Sequence, residues 1–86
     1  MKLRSEFITY SANGEALLVP TGAASFSGLV KGNRTLEAIL ELLKQDTDEA
    51  AIVAAMQARF DASEEVIKAD VKKVLDELRA IGALDE

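Results

Sequence analysis

The 86-residue sequence contains no cysteine and no histidine. These two absences exclude a disulfide scaffold, a cysteine nucleophile, a catalytic histidine and any ordinary zinc site. The serines therefore have no imidazole to activate them, and the few glycines fit neither the dinucleotide-binding nor the phosphate-loop pattern. The sequence thus predicts a protein that is not an enzyme and that needs no cofactor.

Long apolar segments are also missing. No run approaches the roughly 18–20 apolar residues that a membrane-spanning helix needs, and residues 1–6 are too polar to begin a signal peptide. The hydrophobic share of 49% and the charged share of 29% are typical of a globular chain. We therefore expect one domain over residues 1–86, a cytoplasmic location and no membrane partner.

Basic residues are scarce where a nucleic-acid reader would need them. The net charge is −5, and residues 44–86 carry six basic and eleven acidic residues. Each phosphate contact needs a lysine or an arginine, so this balance argues against nucleic acid as a partner.

The first third of the chain reads as β-structure. Residues 7–10 and 16–19 are rich in β-branched, aromatic and aliphatic types, and Asn13-Gly14 between them is a strong hairpin signal. Pro20 ends the second strand because proline cannot donate to a ladder. Residues 26–31 form a weaker third candidate, interrupted by a glycine.

Three later segments carry apolar residues at the helical spacing, at 34–45, 48–60 and 64–81. The apolar positions are Leu36, Ile39, Leu40 and Leu43 in the first segment, Ile52, Val53, Met56 and Phe60 in the second, and Ile67, Val71, Val74, Leu75 and Leu78 in the third.

Capping residues support these boundaries. Asn33 or Thr35 is the predicted N-cap of the first helix, Thr47 that of the second and Ser63 that of the third. Gly82 is the predicted stop of the third helix.

The element order therefore predicts an α+β fold, in which a three-stranded antiparallel sheet is followed by three helices that cover its apolar face. This order is compatible with a winged-helix-like domain.

The third helix carries more apolar surface than its core stripe needs. On a helical wheel one flank holds Val66, Asp70, Glu77 and Ile81 with Val74 at the border, while Lys73 points away from the core. The opposite flank holds the basic residues Lys68, Lys72 and Arg79. One flank could line a groove beside an open strand, where a peptide can add itself as a further strand.

Four segments carry a family resemblance. They are the hairpin ending in Leu18-Val19-Pro20, the run Asn33-Arg34-Thr35 followed by Ile39-Leu40 and Leu42-Leu43, the segment from Ile52 to Phe60-Asp61, and Ile67-x-x-Asp70-Val71-x-x-Val74-Leu75-x-x-Leu78-x-x-x-Gly82. In order, length and spacing, the chain resembles the PqqD-like family of pyrroloquinoline quinone biosynthesis. The same domain serves as a stand-alone precursor-peptide recognition element in pathways for ribosomally made, modified peptides (RiPPs).

The resemblance implies a non-catalytic peptide chaperone. Such a protein binds the leader of a precursor peptide as an added antiparallel strand and presents it to a modifying enzyme, often a radical S-adenosylmethionine (radical SAM) enzyme. Carried onto this chain, the implied peptide-binding residues are Ser27, Gly28, Leu29, Val30 and Lys31 in the third strand and Val66, Asp70, Val74 and Glu77 in the third helix. If the other flank of the helix faced the groove, Lys68, Lys72 and Arg79 would instead select an acidic leader.

Three departures from the family pattern favour a pathway other than pyrroloquinoline quinone. Gly32 stands where a leucine is usual, Val74 stands where a large aromatic residue is usual, and tryptophan is absent. Two other functions stay open at this point, a winged-helix DNA binder and a protein–protein adaptor. The open strand edge would also permit strand exchange between two copies, and hence a homodimer.

Overall fold

The computed structural model of this chain describes residues 1–12, 14–21 and 30–86, with residues 30 and 31 described by their backbone. The elements, in chain order, are β1 (Lys2–Leu3), β2 (Phe7–Ala12), β3 (Glu15–Pro20), β4 (Val30–Gly32), α1 (Arg34–Leu42), α2 (Glu49–Arg59), α3 (Glu64–Ala80) and β5 (Leu84–Asp85). The α+β class and the winged-helix-like order of strands before helices are as predicted.

The main sheet is antiparallel with the order β2-β3-β4. In the register of β2 and β3, Phe7 lies opposite Pro20, and in that of β3 and β4, Ala16 lies opposite Gly32. Side chains alternate between the two faces of a strand, so Ala16 and Leu18 are both buried against the helices. Within the described residues β4 pairs with β3 alone, which leaves its other edge open.

The third strand was predicted at residues 26–31, and the described part of it is Val30–Gly32. Residues 26–29 of that prediction lie outside the described residues.

The predicted three-stranded sheet is present, and a short ribbon of β1 and β5, which was not predicted, adds two strands outside it. Lys2 lies opposite Asp85 and Leu3 opposite Leu84. Two residues are too few to show a hydrophobic period, and the ribbon depends on contacts between distant parts of the chain: the Arg4 N–H donates to the Ala83 carbonyl over 2.8 Å. This ribbon ties the first residues to the segment that follows α3.

Side-chain caps begin each helix. Asn33 accepts a hydrogen bond from the Thr35 N–H and begins α1, and Ser63 accepts one from the Val66 N–H and begins α3. The predicted cap Thr47 is wrong, because the Asp48 carboxylate accepts from the Ala51 N–H over 2.7 Å. A carboxylate also complements the positive end of the helix dipole, which favours Asp48 over the neutral threonine.

The ends of α1 and α3 are set differently. α1 ends at Leu42, three residues before the predicted end: the Lys44 N–H donates to the Glu41 carbonyl three residues earlier, and the Leu43 carbonyl accepts from the Leu3 N–H over 2.9 Å. α3 ends in a Schellman motif around Gly82, as predicted: the Gly82 N–H donates to the Arg79 carbonyl and the Ala83 N–H to the Leu78 carbonyl.

The core lies between the inner face of the main sheet and the three helices. Its fully buried large side chains are Leu18, Ile39, Leu40, Leu43, Ile52, Val71, Leu75 and Leu78. These residues come from β3, from all three helices and from the C-cap of α1, so the core fixes the helices relative to the sheet. Among the described residues, no helix combines the length and the apolar character that crossing a membrane requires.

Replacing Gly82 with alanine should destabilise the fold by about 1 kcal/mol, because the residue has a φ of 73° that an L side chain rarely adopts. Urea unfolding followed by circular dichroism measures this change. Gly82→Asn should lower the free energy of unfolding by less than Gly82→Ala does, since asparagine tolerates the left-handed region. Equal stability of wild type and Gly82→Ala would contradict this account of the α3 end.

Candidate functional site

A cleft of about 350 Å³ separates the end of β4 from an exposed flank of α3. Its lining residues are Gly32 at the end of β4, Asn33, Thr35 and Leu36 at the start of α1, and Asp70, Lys73, Val74 and Glu77 on α3. The cleft therefore combines a strand edge with a helix flank, which are the two parts that strand addition needs.

The core stripe of α3 determines which flank faces the cleft. Ile67, Val71, Leu75 and Leu78 are all buried, so the rotation of the helix about its axis is fixed. Residues three or four positions apart share one side of a helix. Asp70, Val74 and Glu77 consequently form one continuous row beside the sheet. Val74 is half-buried and packs against the core, so it forms the floor of the cleft.

Three of the four predicted helix residues line this cleft: Asp70, Val74 and Glu77. The fourth, Val66, lies one turn earlier on α3 and is 52% exposed, outside the cleft itself. Of the predicted strand residues, Val30 and Lys31 belong to β4, whereas Ser27, Gly28 and Leu29 lie outside the described residues.

The edge of β4 contributes main-chain groups. In an antiparallel pair, successive residues alternate between bonding to the neighbouring strand and pointing away from it. β4 pairs with β3 on one side, from Val30 opposite Leu18 to Gly32 opposite Ala16. Within the described residues no strand pairs with its other edge, so the outward N–H and C=O groups there are available to another extended chain, and the last residue of β4, Gly32, reaches the cleft.

Sequence reasoning missed Lys73 and the first turn of α1. Lys73 does project away from the core, but it also lines the cleft between Asp70 and Glu77. Its spacing could have revealed this, since it lies three residues after Asp70 and four before Glu77. There was no comparable indication in the sequence for the first turn of α1, because Asn33 and Thr35 were predicted only as candidate N-caps.

The opposite flank of α3 is neutralised by its own carboxylates. Lys68 pairs with Glu64 over 2.7 Å and Lys72 pairs with Asp76 over 2.7 Å. These two lysines lie along a separate groove between α2 and α3. Arg79, at the end of the same flank, pairs with Asp76 over 3.2 Å and with Glu86 over 3.0 Å.

These pairs shift the acid–base equilibria of their members. The hydrogen bond from Lys68 lowers the pKa of Glu64, and the hydrogen bond from Lys72 lowers the pKa of Asp76. The same contact with Asp76 raises the pKa of Lys72. Each of the two lysines is therefore engaged with a carboxylate of its own helix.

The cleft flank carries charges of a different kind. No ion pair among the described residues involves Asp70, Lys73 or Glu77. Two carboxylates there face a single ammonium group. The cleft thus carries negative charge that has no internal partner in the described structure and that an incoming cation could meet.

A second cavity of about 110 Å³ continues the cleft at its α2 end. Thr35 and Asp70 belong to both cavities, and the rest of the lining is apolar: Met56, Phe60, Ala62 and Ile67. The combined surface is an apolar pocket, a polar mouth and an acidic cleft in a row.

The lining favours binding over catalysis. It offers carboxylates, one amine, one hydroxyl and one amide, and the Asn33 amide oxygen already accepts a bond from the α1 backbone. Among the described residues, no group of three or more acidic side chains is placed to hold a metal ion.

Comparison with known proteins gives a family and a fold. A family model described as coenzyme PQQ synthesis protein D (PqqD) matches residues 15–84 of the chain. No curated protein matches the sequence.

Two solved structures are similar to the chain. The first is TbiB1 in complex with the TbiA(beta) leader peptide, at 18% identity and a TM-score of 0.76, over 99% of this chain and 100% of that chain. The second is lasso peptide synthetase B1 complexed with the leader peptide, at 15% identity and a TM-score of 0.73, over 95% of this chain and 93% of that chain. At these identities the likeness establishes a shared fold.

Gly32 should resist substitution because α1 approaches it closely. A Cβ at this position would lie 2.5 Å from Leu36 Cδ2 and 2.8 Å from Leu36 Cβ. We expect Gly32→Ala to lower the free energy of unfolding by about 1–3 kcal/mol, the usual cost of overpacking. In a Leu36→Ala background the same change should cost less, because the contact with Cδ2 is removed and only the contact with Cβ remains; equal costs in the two backgrounds would contradict the Cδ2 contact.

Acid should weaken the ion pairs on the opposite flank of α3, called the outer flank from here on, which holds Lys68, Lys72 and Arg79. Because the pKa of Asp76 is lowered in the folded state, its stabilising contribution is present above the ordinary value, about 4, and is lost as the pH falls through the lowered one. Melting temperatures at pH 7 and pH 3 should therefore differ less for Asp76→Asn than for the control Asp61→Asn, an exposed residue outside the described ion pairs. Identical acid profiles of the two variants would contradict this.

Proposed function

Because the chain belongs to the PqqD family, we propose that it binds the leader segment of a ribosomally made precursor peptide and presents it to a modifying enzyme. The observation that carries the proposal is the cleft beside the open edge of β4. An extended peptide bound there would add a strand to the sheet and lay alternate side chains on α3. Both structural neighbours are complexes with leader peptides, which supports the same class of ligand here.

The strand edge supplies affinity without sequence selection. Main-chain hydrogen bonds from β4 are available to any extended segment, so they hold the leader while the side-chain contacts choose it. In this proposal residues 27–31 offer the backbone, Val66 and Val74 accept apolar side chains, and Asp70 and Glu77 meet polar or basic ones.

The chain itself is not an enzyme in this proposal. It lacks histidine and cysteine, and the cleft residues provide no pair of nucleophile and base. The chemistry belongs to a cytoplasmic partner enzyme, which we propose to be a radical SAM enzyme that acts on the bound precursor.

The charge distribution supports a peptide over DNA. Of the four basic residues of α3, Lys68, Lys72 and Arg79 are each paired with a carboxylate, and the fourth, Lys73, lies in the cleft between Asp70 and Glu77. With a net charge of −5 and two cleft carboxylates that take part in no ion pair among the described residues, the surface would repel a nucleic-acid backbone.

The test is a titration with the synthetic leader of a short precursor peptide encoded beside the gene. Strand addition predicts slowed hydrogen exchange of amides in Val30–Gly32 together with NMR shifts along the cleft flank of α3. Perturbations confined to the groove between α2 and α3, or no perturbation in a well-dispersed spectrum, would contradict the proposed site.

Val74→Asp should abolish leader binding, with affinity falling at least about a hundredfold. The substitution puts a third carboxylate on the floor of the cleft, where a bound peptide would bury it without a partner. The matched control is Ala69→Asp, which adds the same charge to the opposite flank of α3 and should bind normally. Calorimetry measures both affinities, and amide spectra confirm that both variants are folded. Equal affinities of two folded variants would contradict the role of Val74.

A further inference from the structure

The small cavity that continues the cleft has the dimensions of a single side-chain pocket. Its volume is about 110 Å³ and its walls are Met56, Phe60, Ala62 and Ile67. For scale, an engineered apolar cavity of about 150 Å³ admits benzene. The pocket is smaller than that, so it suits a branched aliphatic side chain and is too small for an indole ring.

The mouth of this pocket is polar on the side of the cleft. Thr35 and Asp70 line both cavities, so the Thr35 hydroxyl and the Asp70 carboxylate lie where the pocket joins the cleft. No ion pair among the described residues occupies that carboxylate, and Glu77 continues the negative surface two turns further along α3. Its charge is complementary to a lysine or an arginine.

Strand geometry connects the two contacts. In a peptide added to β4, side chains that point to α3 alternate with side chains that point away, so neighbours on the α3 side are two residues apart and roughly 6.7 Å from each other. An aliphatic residue in the pocket and a basic residue at Asp70 therefore belong at positions i and i+2 of the ligand, in one or the other chain direction.

We propose that the leader recognised by this protein carries a branched aliphatic residue two positions from a lysine or an arginine, with the aliphatic side chain in the Phe60 pocket and the cation at Asp70. This specificity rests on the proposed peptide-binding function. The proposal identifies the two leader side chains that the protein recognises. It also makes the connection between α2 and α3 a part of the binding site.

Peptide selection tests the pattern without knowledge of the natural ligand. The probe is a phage-displayed library of random 12-residue peptides, selected on the wild-type protein and on an irrelevant bait. Enrichment of an aliphatic residue two positions from a basic one supports the proposal. Enrichment of peptides without this pattern overturns the proposal and leaves the peptide-binding function intact. The absence of any enrichment over the irrelevant bait, together with no binding of the encoded leader, overturns both.

Filling the pocket tests where the aliphatic side chain lies. Ala62 is exposed at the pocket wall, so Ala62→Leu places a side chain of the protein where the ligand's would enter. The matched control is Ala58→Leu, at an exposed position of α2 outside both cavities. Fluorescence anisotropy with a synthesised selected peptide should show that Ala62→Leu binds at least about tenfold more weakly than the wild type. This is the loss expected for one buried aliphatic side chain. The control should stay within about twofold of the wild type.

A double-mutant cycle separates direct contact from an indirect effect. Replacing the aliphatic residue of the peptide with alanine should cost about tenfold on the wild type but little on Ala62→Leu, because the pocket is already filled. Equal losses on the two proteins would overturn the assignment of the pocket.

The Asp70 contact has its own control. Asp70→Asn should reduce the preference for lysine or arginine over glutamine at the basic position of the peptide, whereas Glu65→Gln removes the same charge from the other flank of α3 and should preserve it. An unchanged preference on Asp70→Asn would overturn this half of the proposal.

Discussion

The burial of one stripe of α3 is the constraint on which the cleft depends. Ile67, Val71, Leu75 and Leu78 pack into the core that β3, α1 and α2 complete, and each is at most 4% exposed. A helix turns by about 100° per residue, so fixing these four side chains fixes every other position on the helix. The positions of Asp70, Val74 and Glu77 are therefore set by the buried stripe and not by contacts of their own. Their place beside β4 follows from hydrophobic packing on the adjacent face.

Charge divides the remaining surface of α3 into two flanks with different availability. The outer flank holds its cations in short contacts with carboxylates of α3 and of the segment that follows it, such as Lys72 with Asp76. Exposed pairs of this kind contribute little stability, but they satisfy both members. On the cleft flank the carboxylates of Asp70 and Glu77 have no such partner among the described ion pairs. A ligand that supplies a cation gains an interaction there without first breaking one, whereas an anionic ligand on the outer flank would have to displace an existing carboxylate.

The sequence was informative where the signal is local and less so where it depends on distant contacts. The apolar period of α3, its cap Ser63 and its stop at Gly82 are all local, and all three predictions are confirmed. The end of α1 could not be predicted in the same way, because the residues that follow it contact the distant start of the chain: the Leu3 N–H donates to the Leu43 carbonyl, and the Thr47 N–H donates to the Met1 carbonyl. For the cleft, the apolar period of α3 left two flanks that could line it. Only the position of β4 relative to α3 distinguishes them. Lys73 was overlooked because a wheel centred on the core treats every outward residue as solvent-exposed.

An open strand edge, proposed here as the place where the peptide binds, is also a hazard, because it can pair with a second copy of the same chain. The described part of β4 is only three residues long, and the acidic flank of α3 stands beside it. Each copy carries a net charge of −5, so two copies that approach edge to edge bring their carboxylates together and repel each other. A short basic peptide is instead attracted by the same carboxylates. The negative charge of the cleft can therefore select a ligand and oppose self-association at once, and salt would weaken both effects together. Substitutions that make the cleft neutral to broaden its ligand range would, by the same reasoning, leave the edge less protected.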